Sequence, residues 1–156
     1  MQQTTFMNKI LLFLLPMLVL GWVGIRILEA KNYANTPDEL GIQFFEGSYA
    51  EALAKAKAEN KLLFVDIYAS WCGPCKRLKA STFRDPEVGA YFKENFIAFA
   101  VDGEQGEGPT LARQFGLRAY PSLYWIKADG SVMNQNVGFI SATQLLNISK
   151  TQINQK

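Results

Sequence analysis

Residues 64–76 read FVDIYASWCGPCK. The stretch opens inside an almost continuous apolar run, Leu62 to Ala69, the mark of a strand buried on both faces. It closes on two cysteines, Cys72 and Cys75, and passes into KRLKASTF, 76–83, which reads as helix. Strand, turn and helix therefore meet at the cysteines. Gly73 is expected to permit the tight turn, and Pro74 suits a first helical turn, where no N–H is needed. A helix N-terminus offers free N–H groups and a partial positive charge, and both stabilise a thiolate on Cys72. Lys76, Arg77 and Lys79 either add positive potential there or form a solvated helix face. Cys75, one turn further in, is expected to be shielded and to act second.

Counting residues narrows what the pair can be. The chain of 156 residues has 2 cysteines and no histidine. Ser-His-Asp and Cys-His catalysis and covalent haem attachment fall away, since Lys76 stands where the haem motif needs histidine. An intramolecular zinc or iron–sulfur site lacks ligands, so no metal is expected. A purely structural disulfide would close a very short loop and constrain little. Two inert core cysteines remain an alternative, but the strand-turn-helix setting favours redox chemistry. In that reading the Cys72 thiolate attacks a disulfide, and Cys75 resolves the mixed disulfide. The only redox group expected is the Cys72–Cys75 pair itself, with no further cofactor.

Asp66 is a carboxylate inside the apolar LLFVDIY. Buried, it would have a raised pKa and could accept the proton of Cys75 from beneath the active-site loop. The alternative is a structurally hydrogen-bonded or edge-exposed acid. Pro121 begins another strand, an ordinary place for proline.

The rest of the chain frames this motif. Apolar residues make up 49% and charged residues 19%, a composition that folds. A net charge of +2, with no basic run interleaved with aromatics, gives no argument for nucleic acid. Residues 1–9 form a short tail. Residues 10–28 contain ILLFLLPMLVLGWVGI, apolar on every face and long enough to span a bilayer with Arg26 at the interface. An uncleaved anchor is preferred to a cleaved signal, because Leu28-Glu29-Ala30 is a poor cleavage site. Lys9 against Arg26 and Lys31 weakly favours a cytoplasmic C-terminus. Residues 29–40 read as linker and 41–153 as the globular domain.

Within that domain, Ser48 and Glu51 form a capping-box pattern ahead of an Ala-rich helix, with Glu51 and Lys55 spaced to pair. Asp85-Pro86 opens another helix. FIAFAVD, 96–102, and PSLYWIK, 121–127, read as strands, with a short helix TLARQFG between them. ADGS is a hairpin turn into VMNQNVGF, and SATQLLNISKTQI is a closing helix capped by Ser141. The order is α/β, part parallel, ending in a hairpin.

FVDIYASWCGPCK, YPSLYWIK (120–127) and VGF (137–139) together resemble the thioredoxin superfamily. The resemblance implies a thioredoxin-like fold, a central mixed sheet flanked by helices. It implies a thiol-disulfide oxidoreductase with Cys72 as nucleophile, Cys75 as resolving thiol and Asp66 as buried proton acceptor. It also places Trp71, Gly73 and Pro74 at the substrate surface, and a cis Tyr120–Pro121 bond beside the cysteines, where the Tyr120 backbone would pair with an extended substrate. Thioredoxins usually carry a lysine paired with the buried acid, shortly before the aspartate that closes the next strand. With Asp102 as that aspartate, the position holds Ala98. ENKLLFVDIYA (59–69) and ASTFRDPEVGAYF (80–92) are more similar to the C-terminal domain of membrane thiol-disulfide interchange proteins. That similarity outweighs the charge count and implies a domain on the periplasmic side.

The expected activity is thus a membrane-tethered disulfide reductase, taking electrons from a membrane or thioredoxin-type donor and passing them to protein disulfides. A disulfide oxidase or isomerase, and a non-catalytic peptide-binding module using the Tyr120–Pro121 groove, are the alternatives.

Overall fold

The computed structural model describes residues 40–156. The tail, the anchor and all but the last residue of the linker lie outside the described residues. Among those described, no helix is long and apolar enough to cross a membrane.

The elements in chain order are α1 (Tyr49–Ala58), β1 (Leu62–Tyr68), α2 (Gly73–Ala80), a 3-10 turn (Thr82–Arg84), α3 (Pro86–Asn95), β2 (Phe96–Asp102), α4 (Gly108–Gln114), β3 (Ser122–Ile126), β4 (Val132–Val137) and α5 (Ala142–Asn154). The strands form a four-stranded sheet in the order β2-β1-β3-β4. β1 runs parallel to β2, with Asp66 opposite Ala100, and antiparallel to β3, with Asp66 opposite Leu123. β3 and β4 make the antiparallel hairpin, with a register shift at Trp125/Ile126. This is the mixed α/β sheet expected.

Alternation along β1 sends its side chains to two cores. Leu62 and Phe64 pack with Leu78 of α2, Phe83, Val88 and Phe92 of α3, Trp125, and Leu145 of α5. Leu63, Val65 and Ile67 pack with Ala52 and Ala56 of α1 and Leu111 of α4. Helices on both faces are why β1 reads as a continuous apolar run. The edge of β2 is covered by the segment leading in from Gly41. Phe44 bridges to Ala98, and the Phe45 N–H donates to the Ala98 carbonyl at 2.7 Å. That segment crosses α3 in close contact, for a Cβ on Gly89 would lie 1.8 Å from the Leu40 carbonyl oxygen.

Local chemistry explains most boundaries. Ser48 and Glu51 make the capping box of α1, and Asp85 caps α3 through the N–H groups of Glu87 and Val88. Ser141 caps α5 in a second capping box, with Gln144 as its partner. Several expectations change. Glu51 does not pair with Lys55: its Oε2 accepts from Ser48 N–H and Oγ–H, and Lys55 instead pairs with Glu59. The helix after the cysteines runs from Gly73, with Pro74 in its first turn, but stops at Ala80, before the 3-10 turn and short of Phe83. The strand read as 132–139 ends at Val137, because Gly138 takes φ 93° after a last cross-strand bond from its N–H to the Pro121 carbonyl.

Candidate active site

The end of β1 and the start of α2 are joined by Ala69, Ser70, Trp71 and Cys72. The Cys72 N–H donates to Ala69 O at 3.0 Å, and Lys76 N–H to Cys72 O at 3.1 Å. Cys72 therefore holds the N-cap position, with extended backbone at φ −70° and ψ 112°. Its Sγ accepts the Cys75 N–H at 3.1 Å, as a capping oxygen would. Cys72 and Cys75 form a disulfide, with Cα atoms 5.3 Å apart. On reduction, the same N–H and the positive end of α2 face the Cys72 sulfur and favour its thiolate.

Exposure does not rank the two cysteines as expected. Cys72 is 2% exposed and Cys75 7%, so both are shielded. They pack with Ala69, and Tyr68 and Tyr120 close over the group. Gly73 corrects a second expectation. It does not adopt a positive φ, and a Cβ there would meet nothing within 4 Å. The turn does not require glycine, and the space above it is open. Pro74 lies in the first helical turn, as read.

Asp66 lies on β1 beneath the loop and is 6% exposed. Its Oδ1 has no hydrogen-bond partner. Loss of hydration pushes its carboxyl up from 3.8 to about 7. A cavity of about 440 Å³ connects it to the active site, lined by Asp66, Cys75, Lys76 and Lys79 with Phe44, Phe83 and Ala100 among its apolar walls. Ala98, opposite Phe64, and Ala100, opposite Asp66, bring no cation to the acid from β2. The lysines that share its cavity come from α2 instead. Arg77 is directed elsewhere, its guanidinium 4.2 Å from the Phe139 ring centroid.

The Tyr120–Pro121 bond is cis. Pro121 O accepts from Gly138 N–H at 2.8 Å, and Ser122 Oγ donates to Ala119 O at 2.8 Å, so the turn is held from both ends. The Tyr120 ring meets Trp71 edge to face, centroids 5.9 Å apart. Burial, then the charges of Glu104 and Asp102, push the Tyr120 hydroxyl up from its ordinary value. Trp71 donates from Nε1 to Glu104 Oε2 at 3.0 Å. Sequence reading missed Glu104. Its only signal was its place in the acidic GEQGEGP loop, and nothing local says that this loop folds over the cysteines.

Site and fold together define a thioredoxin-like domain of the thiol-disulfide oxidoreductase type. Residues 49–153 match the family described as Thioredoxin-like domain, and the chain belongs to that family. Among curated relatives, Thioredoxin H4 of Arabidopsis thaliana is 41% identical over 86 residues, 55% of this chain and 67% of that protein. The thiol:disulfide interchange protein DsbD of Neisseria meningitidis is 30% identical over 143 residues, 81% of this chain but 24% of that protein. The chain thus spans about a quarter of the length of that relative. Among solved structures, a putative disulphide-isomerase from Bacteroides thetaiotaomicron is 43% identical with a TM-score of 0.65, covering 74% of this chain and 96% of that one. The oxidised C-terminal domain of Neisseria meningitidis DsbD is 28% identical with a TM-score of 0.56, covering 65% of this chain and 90% of that one.

Proposed function

We propose that the chain is a membrane-tethered protein-disulfide reductase. The observation that carries this reading is the Cys75 N–H aimed at Cys72 Sγ at the tip of α2, with Asp66 in the same cavity as Cys75. The Cys72 thiolate attacks one sulfur of a partner disulfide, forming a mixed disulfide and releasing the other sulfur as a thiolate that takes a proton from water. Asp66 as carboxylate accepts the Cys75 proton. The Cys75 thiolate then attacks Cys72 Sγ, the mixed bond breaks, and the second partner sulfur leaves as a thiolate protonated from water, so the partner departs as a dithiol while Asp66 returns its proton to solvent. Two electrons have passed to the partner, and the Cys72–Cys75 disulfide remains. Trp71, Tyr120 and Pro121 form the surface on which the partner lies, and the open space over Gly73 and Pro74 leaves room for its backbone.

The similarity to DsbD supports a donor in the membrane or of thioredoxin type, and a periplasmic setting. The apolar stretch within residues 10–28 supports tethering. The Gly73-Pro74 spacer, shared by resemblance with reducing family members, supports the direction of electron flow. Isomerisation is the second reading, favoured by the 43% identity to the Bacteroides putative disulphide-isomerase. The reduction potential of the dithiol decides direction. A value near −270 mV supports the reductase, and one near −120 mV overturns it. Cys72→Ser abolishes insulin reduction if the domain is catalytic. In cells, Cys75→Ala is expected to trap extracytoplasmic partners as mixed disulfides, and partners drawn only from the cytoplasm would overturn the periplasmic placement.

A further inference from the structure

Trp71 is 66% exposed beside the disulfide, yet its ring is held at two points. One is the edge contact with Tyr120, the other the Nε1–H bond to Glu104 Oε2. Glu104 is itself placed by a built turn. Gly103 N–H donates to Tyr68 O at 2.7 Å, tying the loop to the end of β1. Asp102 accepts Glu104 N–H on Oδ1 at 3.0 Å and the Gln105 amide on Oδ2 at 3.3 Å, so both its oxygens are occupied in the turn. A Cβ on Gly103 would lie 2.6 Å from the Tyr120 hydroxyl, so the loop packs directly against that ring. Glu107 is engaged elsewhere, its Oε1 accepting Tyr49 N–H at 2.8 Å. Asp102 uses its oxygens within the turn although its charge also reaches Tyr120, and Glu104 presents its carboxylate at the rim of the Trp71–Tyr120 surface. No ion pair to Glu104 occurs among the described residues, and the basic groups of α2 are engaged elsewhere, Lys76 and Lys79 lining the Asp66 cavity and Arg77 lying over Phe139.

We propose that Glu104 is a specificity-determining residue: its Oε2 fixes Trp71, and its charge favours partner disulfides that carry a lysine or arginine beside the reacting cysteine. The inference rests on the reading that partners dock on the Trp71–Tyr120 surface. A cation brought to that rim meets an exposed carboxylate whose position is already biased by its bond to Trp71. It therefore gains attraction with less of the cost of ordering the acid side chain. An acidic partner at the same place meets like charge.

The test uses the full chain, pre-reduced, and three synthetic disulfide peptides that differ only in Lys, Gln or Glu flanking their cysteines. Second-order rate constants for reduction are measured at low and high salt. The parent is expected to reduce the Lys peptide about threefold or more faster than the Glu peptide at low salt, with the gap shrinking at high salt. Glu104→Gln keeps an oxygen for the indole and removes the charge. Its Lys/Glu ratio should fall toward unity while Trp71 emission, taken as the difference from a Trp71→Phe variant, is unchanged. Glu104→Ala should lose the ratio and shift that emission as well. A ratio that Glu104→Gln leaves intact, or a parent without preference, overturns the inference and leaves the reductase reading standing. A parent that reduces none of the peptides overturns both.

Discussion

Asp66 shows how one residue ties stability to chemistry. The native state holds its proton up to about pH 7, while an unfolded chain releases it near 3.8. The folded protein therefore binds more protons between those values, and its stability falls as pH rises through that window. Asp66→Asn cannot ionise. It is expected to match the parent below about pH 4 and to be more stable by a few kcal/mol above pH 7, as read from urea unfolding of the oxidised form at each pH. The same substitution removes the acceptor for the Cys75 proton. Release of the mixed disulfide should slow more than its formation, and the rise in the parent's resolving rate through about pH 7 should flatten. Equal insulin turnover by mutant and parent would remove Asp66 from the mechanism. That an acid sat in a buried strand was legible in LLFVDIY. Its place beneath the loop near Cys75 was legible too; that its Oδ1 has no partner, and that Phe44 and Phe83 wall the cavity it shares with Cys75, was not, because those rings come from other parts of the chain.

At the scale of elements, caps and crossings set the boundaries. Ser141 and Gln144 exchange hydrogen bonds at the start of α5, the helix whose Ser149 accepts the Trp125 indole N–H at 2.9 Å. Ser141→Ala is expected to cost about 1 kcal/mol in chemical unfolding. The crossing of the lead-in segment over α3 is less tolerant. Gly89→Ala places a methyl within 1.8 Å of the Leu40 carbonyl oxygen, so either the segment or the helix must move. A fall of several degrees or more in melting temperature is expected, and a change within a degree would mean that the lead-in segment yields at this contact. Caps are readable in sequence because they join residues a turn apart. The crossing is not, since Gly89 and Leu40 meet only once the sheet edge is covered. Glu51 illustrates the limit even locally: its spacing suited Lys55, but the capping oxygen and N–H of Ser48 are nearer, and they hold the carboxylate.

The whole molecule is organised about β1, the strand paired on both sides and packed on both faces. Phe64 at its middle meets Phe83, Phe92 and Trp125 edge to face, with centroids 6.2, 5.0 and 5.4 Å away. Phe64→Ala is expected to lose about 3–5 kcal/mol of unfolding free energy, because none of these rings can collapse into the gap without leaving another contact. β4 lies at an edge, with Val132 and Val137 exposed. Its amides should therefore exchange with deuterium well before those of β1, and comparable protection of the two strands would contradict a core centred on β1. The sequence by itself determined the α/β order, the strand-turn-helix setting of the cysteines and the residues able to do redox chemistry. These follow from periodicity, capping and residue chemistry, which act over a few neighbours. Only the tertiary structure decided that Cys72 is as shielded as Cys75, that lysines of α2 share the Asp66 cavity, and that Glu104 holds Trp71. Each of those depends on packing between elements, and it is the folding of both helical layers and the loop after β2 about β1 that brings them together.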